Sequence, residues 1–456
     1  MVTSIPENKT AADPSHLLRW QLQTFGLLWA AYAAYYLCRM NFAVAQPLIL
    51  KEFPDWSAAR VGLIPSVYAT CYAIGQFING QLGEKFGARK MMTGAMAIAL
   101  LSNLAFAFTS SYPVMLLLWG LNGYAQSAGW SLVVKTLTNW TTAKRRGLFI
   151  GLISTCYQVG NVVSWLLAGW LCDAFMDWRP AFWIPALIMI PITTLFAIAL
   201  RNSPEDAGFP AVRDDLGDLP SSKKGDASGT DSGLATAMDV LRMTLSNRIL
   251  WILAVGYFCM NSVRYAFMNW AVTYMADFHG RSIKGSAFTA VALPLIGAIG
   301  AVSAGWFSDR LFGRRRAPVC AISLFLLAGV CIGFIMVPRG EWVVATAMLG
   351  LAGFLIYGPD MLMSGAATAD VHPRATAAAT GFTMCMGATG SILSGAGVGW
   401  LKDVTPGMVE DLRTIVPSWA ADSMSEWTLI FAILAALSVV SALLMVSIWN
   451  SRPKTA

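Results

Sequence analysis

Apolar runs of about 20 residues, the length a helix needs to cross a bilayer, recur along almost the whole of this 456-residue chain. Twelve can be marked, at 25–48, 61–82, 91–109, 113–138, 147–171, 180–200, 250–276, 286–309, 317–337, 342–365, 376–400 and 427–449. Runs of that length predict helices, since membrane strands need only ~10 residues of alternating hydrophobicity. With 56% hydrophobic and 12% charged residues, the chain is a membrane protein by composition, soluble proteins carrying roughly 25% charged. The opening segment MVTSIPENKTAADPSHLLRW has no short apolar stretch followed by a small-residue cleavage site, so the first span is expected to be retained.

The segment RNSPEDAGFPAVRDDLGDLPSSKKGDASGTDSG, after the sixth run, is too polar to order itself and reads as a linker. The organisation predicted is an N-terminal segment (1–24), a six-helix bundle (25–200), a linker (201–249), a second six-helix bundle (250–449) and a tail (450–456). The residues ATAMDVLRMTLSNRILW after the linker suit either an amphipathic surface helix or a plain approach to the seventh span. Basic clusters at Lys85, Arg89 and Lys90, at Lys144, Arg145 and Arg146, and at Arg310, Arg314, Arg315 and Arg316 fall between alternate spans. The positive-inside rule then places both termini, the linker and the tail in the cytoplasm. Basic inner loops also account for the net charge of +7, which leaves no case for a nucleic-acid partner. The long loop over 401–426 falls on the outer side with no assignable role. All eight cysteines lie in or beside apolar runs without CxxC spacing and read as small core residues.

The two halves repeat. GQLGEKFGARK starts at Gly80 and GWFSDRLFGRRR starts at Gly305, 225 positions later, and Glu84 and Asp309 match at the same offset. That offset carries Arg39, in YYLCRMNFAV, onto Arg264, in MNSVRYAFMNW, and Phe42 onto Phe267. The loops resemble the G-x-x-x-D-R-x-G-R-K signature of the major facilitator superfamily, with Glu84–Lys85 where Asp-Arg is usual and one residue inserted before Gly313. The fold this implies is an all-α membrane protein of twelve transmembrane helices in two pseudo-symmetric six-helix bundles, with the site near midplane between them. Glu84, Arg89, Asp309 and Arg310 are then expected to gate the cytoplasmic face by pairing with cations or capping helix ends.

An arginine at mid-bilayer costs at least ~2.5 kcal/mol and must face a polar interior. Two guanidinium groups about 10 Å apart repel by roughly 1–2 kcal/mol at an effective dielectric near 20. Their rigid forks match phosphate or carboxylate oxygens, and two positive charges favour a dianion. The competing reading, an acid for each arginine, finds only Asp360 deep in a span, and one aspartate cannot neutralise two arginines.

YAAYYLCRMNFAVAQPLI, VRYAFMNWAVTY, and YGPDMLMSGAATAD followed by TAAATGF resemble the organophosphate:inorganic phosphate antiporter family of that superfamily, over both halves of the chain. The resemblance implies exchange of a phosphorylated metabolite for inorganic phosphate by alternating access, with Arg39 and Arg264 clasping the phosphoryl group. It implies a substrate cavity that also includes Tyr32, Tyr36, Tyr72 and Tyr357. Gln76, Tyr157 and Met40 stand where the glycerol-3-phosphate branch carries cations, which puts glycerol 3-phosphate itself in doubt. Asn261 and Asn269 flank Arg264 and suit the non-phosphoryl part of a ligand. Asp360 has three readings: partner of a cationic substituent, proton carrier, or structural acid beside Pro359 paired with Lys135. No catalytic triad, metal cluster or nucleotide loop is visible, so no enzyme, cofactor or metal is implied. The remaining readings are a proton-coupled organic-anion symporter and a membrane sensor of a sugar phosphate. A monomer in a bacterial inner membrane is expected, its partners being the lipid, the phosphorylated substrate and phosphate.

Overall fold

The computed structural model describes residues 14–142, 149–210, 212, 246–313, 315–366, 376–413 and 425–450. Most of the linker and the candidate surface helix lie outside the described residues, as do Lys144, Arg145, Arg146, Arg314 and the Glu84 side chain.

Helices coincide with every expected span. In the first half of the chain they are α1 (Pro14–Leu37), α2 (Asn41–Glu52), α3 (Ala58–Phe86), α4 (Ala88–Ala107), α5 (Tyr112–Gln126), α6 (Gly129–Trp140), α7 (Thr155–Phe175) and α8 (Pro180–Ala199). In the second half they are α9 (Arg248–Asp277), α10 (Ile283–Ala290), α11 (Ala292–Arg310), α12 (Arg316–Met336), α13 (Trp342–Met361), α14 (Thr376–Arg413) and α15 (Thr428–Ser447). Local chemistry sets several starts. Ser57 Oγ accepts from Arg60 N–H to cap α3, Asn247 Oδ1 accepts from Ile249 and Leu250 N–H to cap α9, and Ser282 Oγ caps α10. Both repeat loops turn on a left-handed glycine, Gly87 (φ 79°) and Gly313 (φ 55°), a conformation that penalises any Cβ.

Among the described residues, eight helical segments have the length and hydropathy of an unbroken membrane span. The expected spans missing from that set are the first, second, fourth and eleventh: α1 with α2, α3, α5 with α6, and α14. These carry polar residues into the interior, and they contribute much of the cavity wall described below. Elsewhere the outward faces are apolar, as with Leu101, Phe108, Val302 and Met336, each more than half exposed, as a lipid-facing surface requires.

On the face away from the chain's termini the two halves meet closely along α3 and α14. A Cβ on Gly62 would lie 2.3 Å from Gly395 O, and one on Gly399 would lie 2.3 Å from Ala58 O. Ser66 Oγ donates to Ile392 O (2.6 Å) and accepts from Ala396 N–H (2.9 Å). Asp403 caps the start of α3 from the opposite half, its two oxygens accepting from Ala58 and Ala59 N–H at 2.7 and 2.8 Å. The expected loop from residue 401 is therefore helical as far as Arg413 despite Pro406, anchored by this cap and by the Lys402–Asp277 ion pair.

The cysteines are free, six of them buried, but Cys385 is exposed, against the core role expected of it.

Candidate functional site

The first span is not continuous. α1 stops at Leu37 and α2 starts at Asn41, so Arg39 sits in a three-residue break where Tyr36 O accepts from both Arg39 and Met40 N–H (3.2 and 3.0 Å). The Arg39 Cζ lies 4.9 Å from the Tyr72 ring centre, 5.3 Å from Tyr68 and 5.4 Å from Tyr36, so three aromatic faces flank the cation. No carboxylate among the described residues forms an ion pair with it.

Arg264 occupies the matching place in α9, but that helix runs unbroken from Arg248 to Asp277. Its Nη1 donates to Asp360 Oδ2 at 2.8 Å, and Tyr257 O–H donates to Asp360 Oδ1 at 3.0 Å. The Tyr357 and Tyr265 rings lie 5.0 and 5.5 Å from its Cζ. Asp360 is thus Arg264's partner and not that of Lys135, whose Nζ donates to Gly83 O.

Both arginines line one cavity of about 260 Å³, with Asp360 in the same wall. Tyr32, Tyr36, Tyr72, Gln76, Tyr157, Asn261 and Asn269 also line it. Tyr357 does not; it packs behind Arg264, 3% exposed, its O–H directed to Met268 Sδ at 3.7 Å. The wall runs from Phe42 and Trp119 at the closed end to Gln76 and Met384, which are exposed nearer the face of the termini. Among the described residues no lysine or histidine contributes to it, so the formal fixed charges these supply are Arg39, Arg264 and Asp360, a net of one positive charge. One of the two arginines is therefore compensated, Asp360 lying against Arg264, and at the repeat offset of 225 that acid stands where the first half has Lys135.

Tyr68, Tyr257, Tyr265 and Trp130 line the cavity without having been singled out from the sequence. Signals existed for three of them. Tyr257 is the 225-residue repeat of Tyr32, Tyr68 precedes Tyr72 by one helical turn, and Tyr265 adjoins Arg264.

Of the expected gating residues, Arg89, Asp309 and Arg310 make contacts within their own halves. Arg89 Nε donates to Ala197 O (2.6 Å) at the end of α8, and Asp309 pairs with Arg316 at the start of α12 (2.6 Å). The Arg310 guanidinium lies 6.0 Å from the Trp306 ring.

The family model "Major Facilitator Superfamily" matches residues 28–395. The chain belongs to that superfamily. It is 27% identical over 443 residues to a probable hexose phosphate transport protein of Chlamydia pneumoniae, covering 95% of this chain and 92% of the relative. It is 29% identical to a glycerol-3-phosphate transporter of Bacillus subtilis (84% and 87% covered) and 28% identical to the membrane sensor protein UhpC of Salmonella typhimurium (95% and 92% covered). Among solved structures, a bacterial homologue of the human lysosomal transporter Spinster superposes with a TM-score of 0.75 at 14% identity over 95% of this chain and 97% of that one, a likeness of fold. The protein is an integral membrane protein of a transporter superfamily and not an enzyme.

Proposed function

We propose that this member of the major facilitator superfamily exchanges a phosphorylated organic metabolite, a phosphate ester or phosphonate, for inorganic phosphate by alternating access. The observation that supports the proposal is the presence of Arg39 and Arg264 in one cavity whose one carboxylate among the described residues, Asp360, is paired with Arg264. Among the described residues Arg39 has donors without an anionic acceptor, and the Arg264 Nε is buried without a hydrogen-bond partner. A phosphoryl group seated on both forks would satisfy these donors, displacing Asp360 from Arg264 or sharing the guanidinium with it. Tyr32, Tyr36, Tyr72, Gln76, Tyr157, Asn261 and Asn269 are assigned to the rest of the ligand, with Tyr357 supporting Arg264 from behind. The named relatives that carry hexose phosphate and glycerol 3-phosphate support the phosphoryl assignment.

The conformation described has one face closed by the α3–α14 contacts, and exchange requires that seam to open while the other face closes. Glu84, Arg89, Asp309 and Arg310 are assigned to that second closure. With the termini in the cytoplasm of a bacterial cell, the closed face is the outer one. An occupant that relieves the charge of Arg39 lowers the barrier to this rocking, so the vacant carrier lags and exchange dominates over net flux.

The test is release of radiolabelled phosphate from loaded proteoliposomes on external addition of phosphate esters, phosphoglycerates and phosphonates. Release driven by at least one of them, and not by neutral sugars, is the expected result. A second reading, proton-coupled anion uptake, rests on Asp360 being placed in the cavity wall. It requires uptake driven by a pH gradient with no internal phosphate. A third reading, signalling, rests on the similarity to a named sensor, and exchange by the purified protein would set it aside.

A further inference from the structure

The break that presents Arg39 is held by side chains outside the cavity wall. Ending α1 at Leu37 removes the helical hydrogen bond to Cys38 O, a carbonyl buried within the bundle. Three carboxamides from two other helices converge on that oxygen: Asn122 Nδ2 at 2.8 Å, Asn103 Nδ2 at 3.0 Å and Gln126 Nε2 at 3.3 Å. The groups also bind one another. Gln126 donates to Asn122 Oδ1 (2.9 Å), and Asn41, the first residue of α2, donates to Asn103 Oδ1 (3.0 Å) and to Ala181 O (2.9 Å). All four side chains are at most 3% exposed.

Buried amides are costly unless paired, and an unbroken apolar helix would need none of them. The second half shows that alternative. Its arginine lies in a continuous helix, and at the repeat offset of 225 or 226 the places of Asn103, Asn122 and Gln126 are taken by Ala328 or Gly329, Ala347 or Met348, and Leu351 or Ala352. The amide cluster therefore accompanies the break and not the fold. It reaches Arg39 by two routes. Cys38 O belongs to the residue immediately before it, and Gln126 Oε1 accepts from the O–H of Tyr68 (3.1 Å), whose ring lies 5.3 Å from the guanidinium.

We infer that Asn103, Asn122 and Gln126 are positioning residues for Arg39: they hold the 38–40 break open so that its fork meets the phosphoryl group at a fixed angle. The inference rests on the phosphoryl reading of the cavity, and the experiment separates the two. Purified protein is heated across a titration of inorganic phosphate. The unliganded melting temperature reports the fold, and its rise with phosphate gives an apparent Kd. Asn122→Leu should raise that Kd by about tenfold or more, as loss of a buried orienting hydrogen bond does elsewhere. Asn122→Ser, which restores a smaller donor, should recover part of it.

The decisive comparison is the double-mutant cycle. The effect of Asn122→Leu should vanish in an Arg39→Lys background, where the fork is already gone, and persist in an Arg264→Lys background. If folded Asn122→Leu lowers only the unliganded melting temperature, or costs the same factor with Arg39→Lys as without it, the amides are structural and the inference is wrong. If Arg39→Lys alone leaves the phosphate Kd unchanged, the phosphoryl reading itself fails. Should Asn122→Leu not fold, Gln126→Leu removes the longest of the three bonds and is judged by the same criteria.

Discussion

Replacing Asp360 by asparagine changes one formal charge in the cavity wall and almost no volume. Asp360 and Arg264 form a pair at 2.8 Å with side chains only 14% and 19% exposed, so the carboxylate occupies a fork that a phosphoryl group would use. Removing it strands a guanidinium, and breaking a buried pair this way costs about 3–5 kcal/mol of stability. The same change raises the net fixed charge of the wall from one positive to two. A dianion about 6 Å from Asp360 feels a repulsion of about 5 kcal/mol at an effective dielectric of 20, an upper bound because the carboxylate can swing away. A net gain of about 1–3 kcal/mol in phosphate binding is the reasonable remainder, or about 5- to 150-fold. Asp360→Asn should therefore melt earlier without ligand, regain much of the difference with phosphate, bind phosphate more tightly and exchange it more slowly, since tight binding acts mostly on release. Thermal titration and proteoliposome exchange measure all four. Unchanged or weaker phosphate binding in a folded variant would show that Asp360 does not compete for Arg264, and the charge argument would fall.

Lysine at position 39 or 264 keeps the charge but loses the planar fork, so either variant should reach the membrane folded and lose most phosphate exchange; wild-type exchange in both would remove the clasp. At the closed face, Asp403→Asn weakens two charge-assisted caps, and Gly395→Ala sets a Cβ 2.5 Å from Gly62 O. Both should favour opening there, read as faster labelling by an impermeant thiol reagent of a cysteine at the buried Val61 position. Outside the spans, hydrogen bonds from Arg179 and Trp178 hold the Glu52 carboxyl below its ordinary range. A depressed native pKa contributes stability that is complete above the unfolded value of about 4.3 and is lost as pH falls through the native one. Thermal melts in detergent should show this acid loss, and Glu52→Gln should flatten it.

Much of the architecture was legible in the chain because a bilayer leaves few choices. A run of 20 apolar residues can satisfy its backbone only as a helix, so the spans follow from hydropathy. The 225-residue offset exposed the arginine pair and, applied to Tyr32, would also have found Tyr257. Most residues assigned to the cavity do line it, because ionisable and aromatic polar groups in a span have few other places to face. Tyr357 is the exception: from its own helix nothing distinguishes a ring in the wall from one packed behind it.

What the sequence determined alone was thus the class of the elements and the course of the spans, and which charged residues lie within them. Which charges meet was decided by tertiary structure. Asp360 is 96 positions from Arg264, and only the packing of α9 against α13 makes it that arginine's partner and not that of Arg39. The break at residues 38–40 is equally non-local. YLCRMN contains no proline or glycine to end a helix, and the hydrogen bonds that make the interruption tolerable come from Asn103, Asn122 and Gln126, 65 to 88 positions away. Hydropathy reports the solvent a residue prefers, whereas hydrogen-bond partners across a bundle are fixed only when the helices have packed.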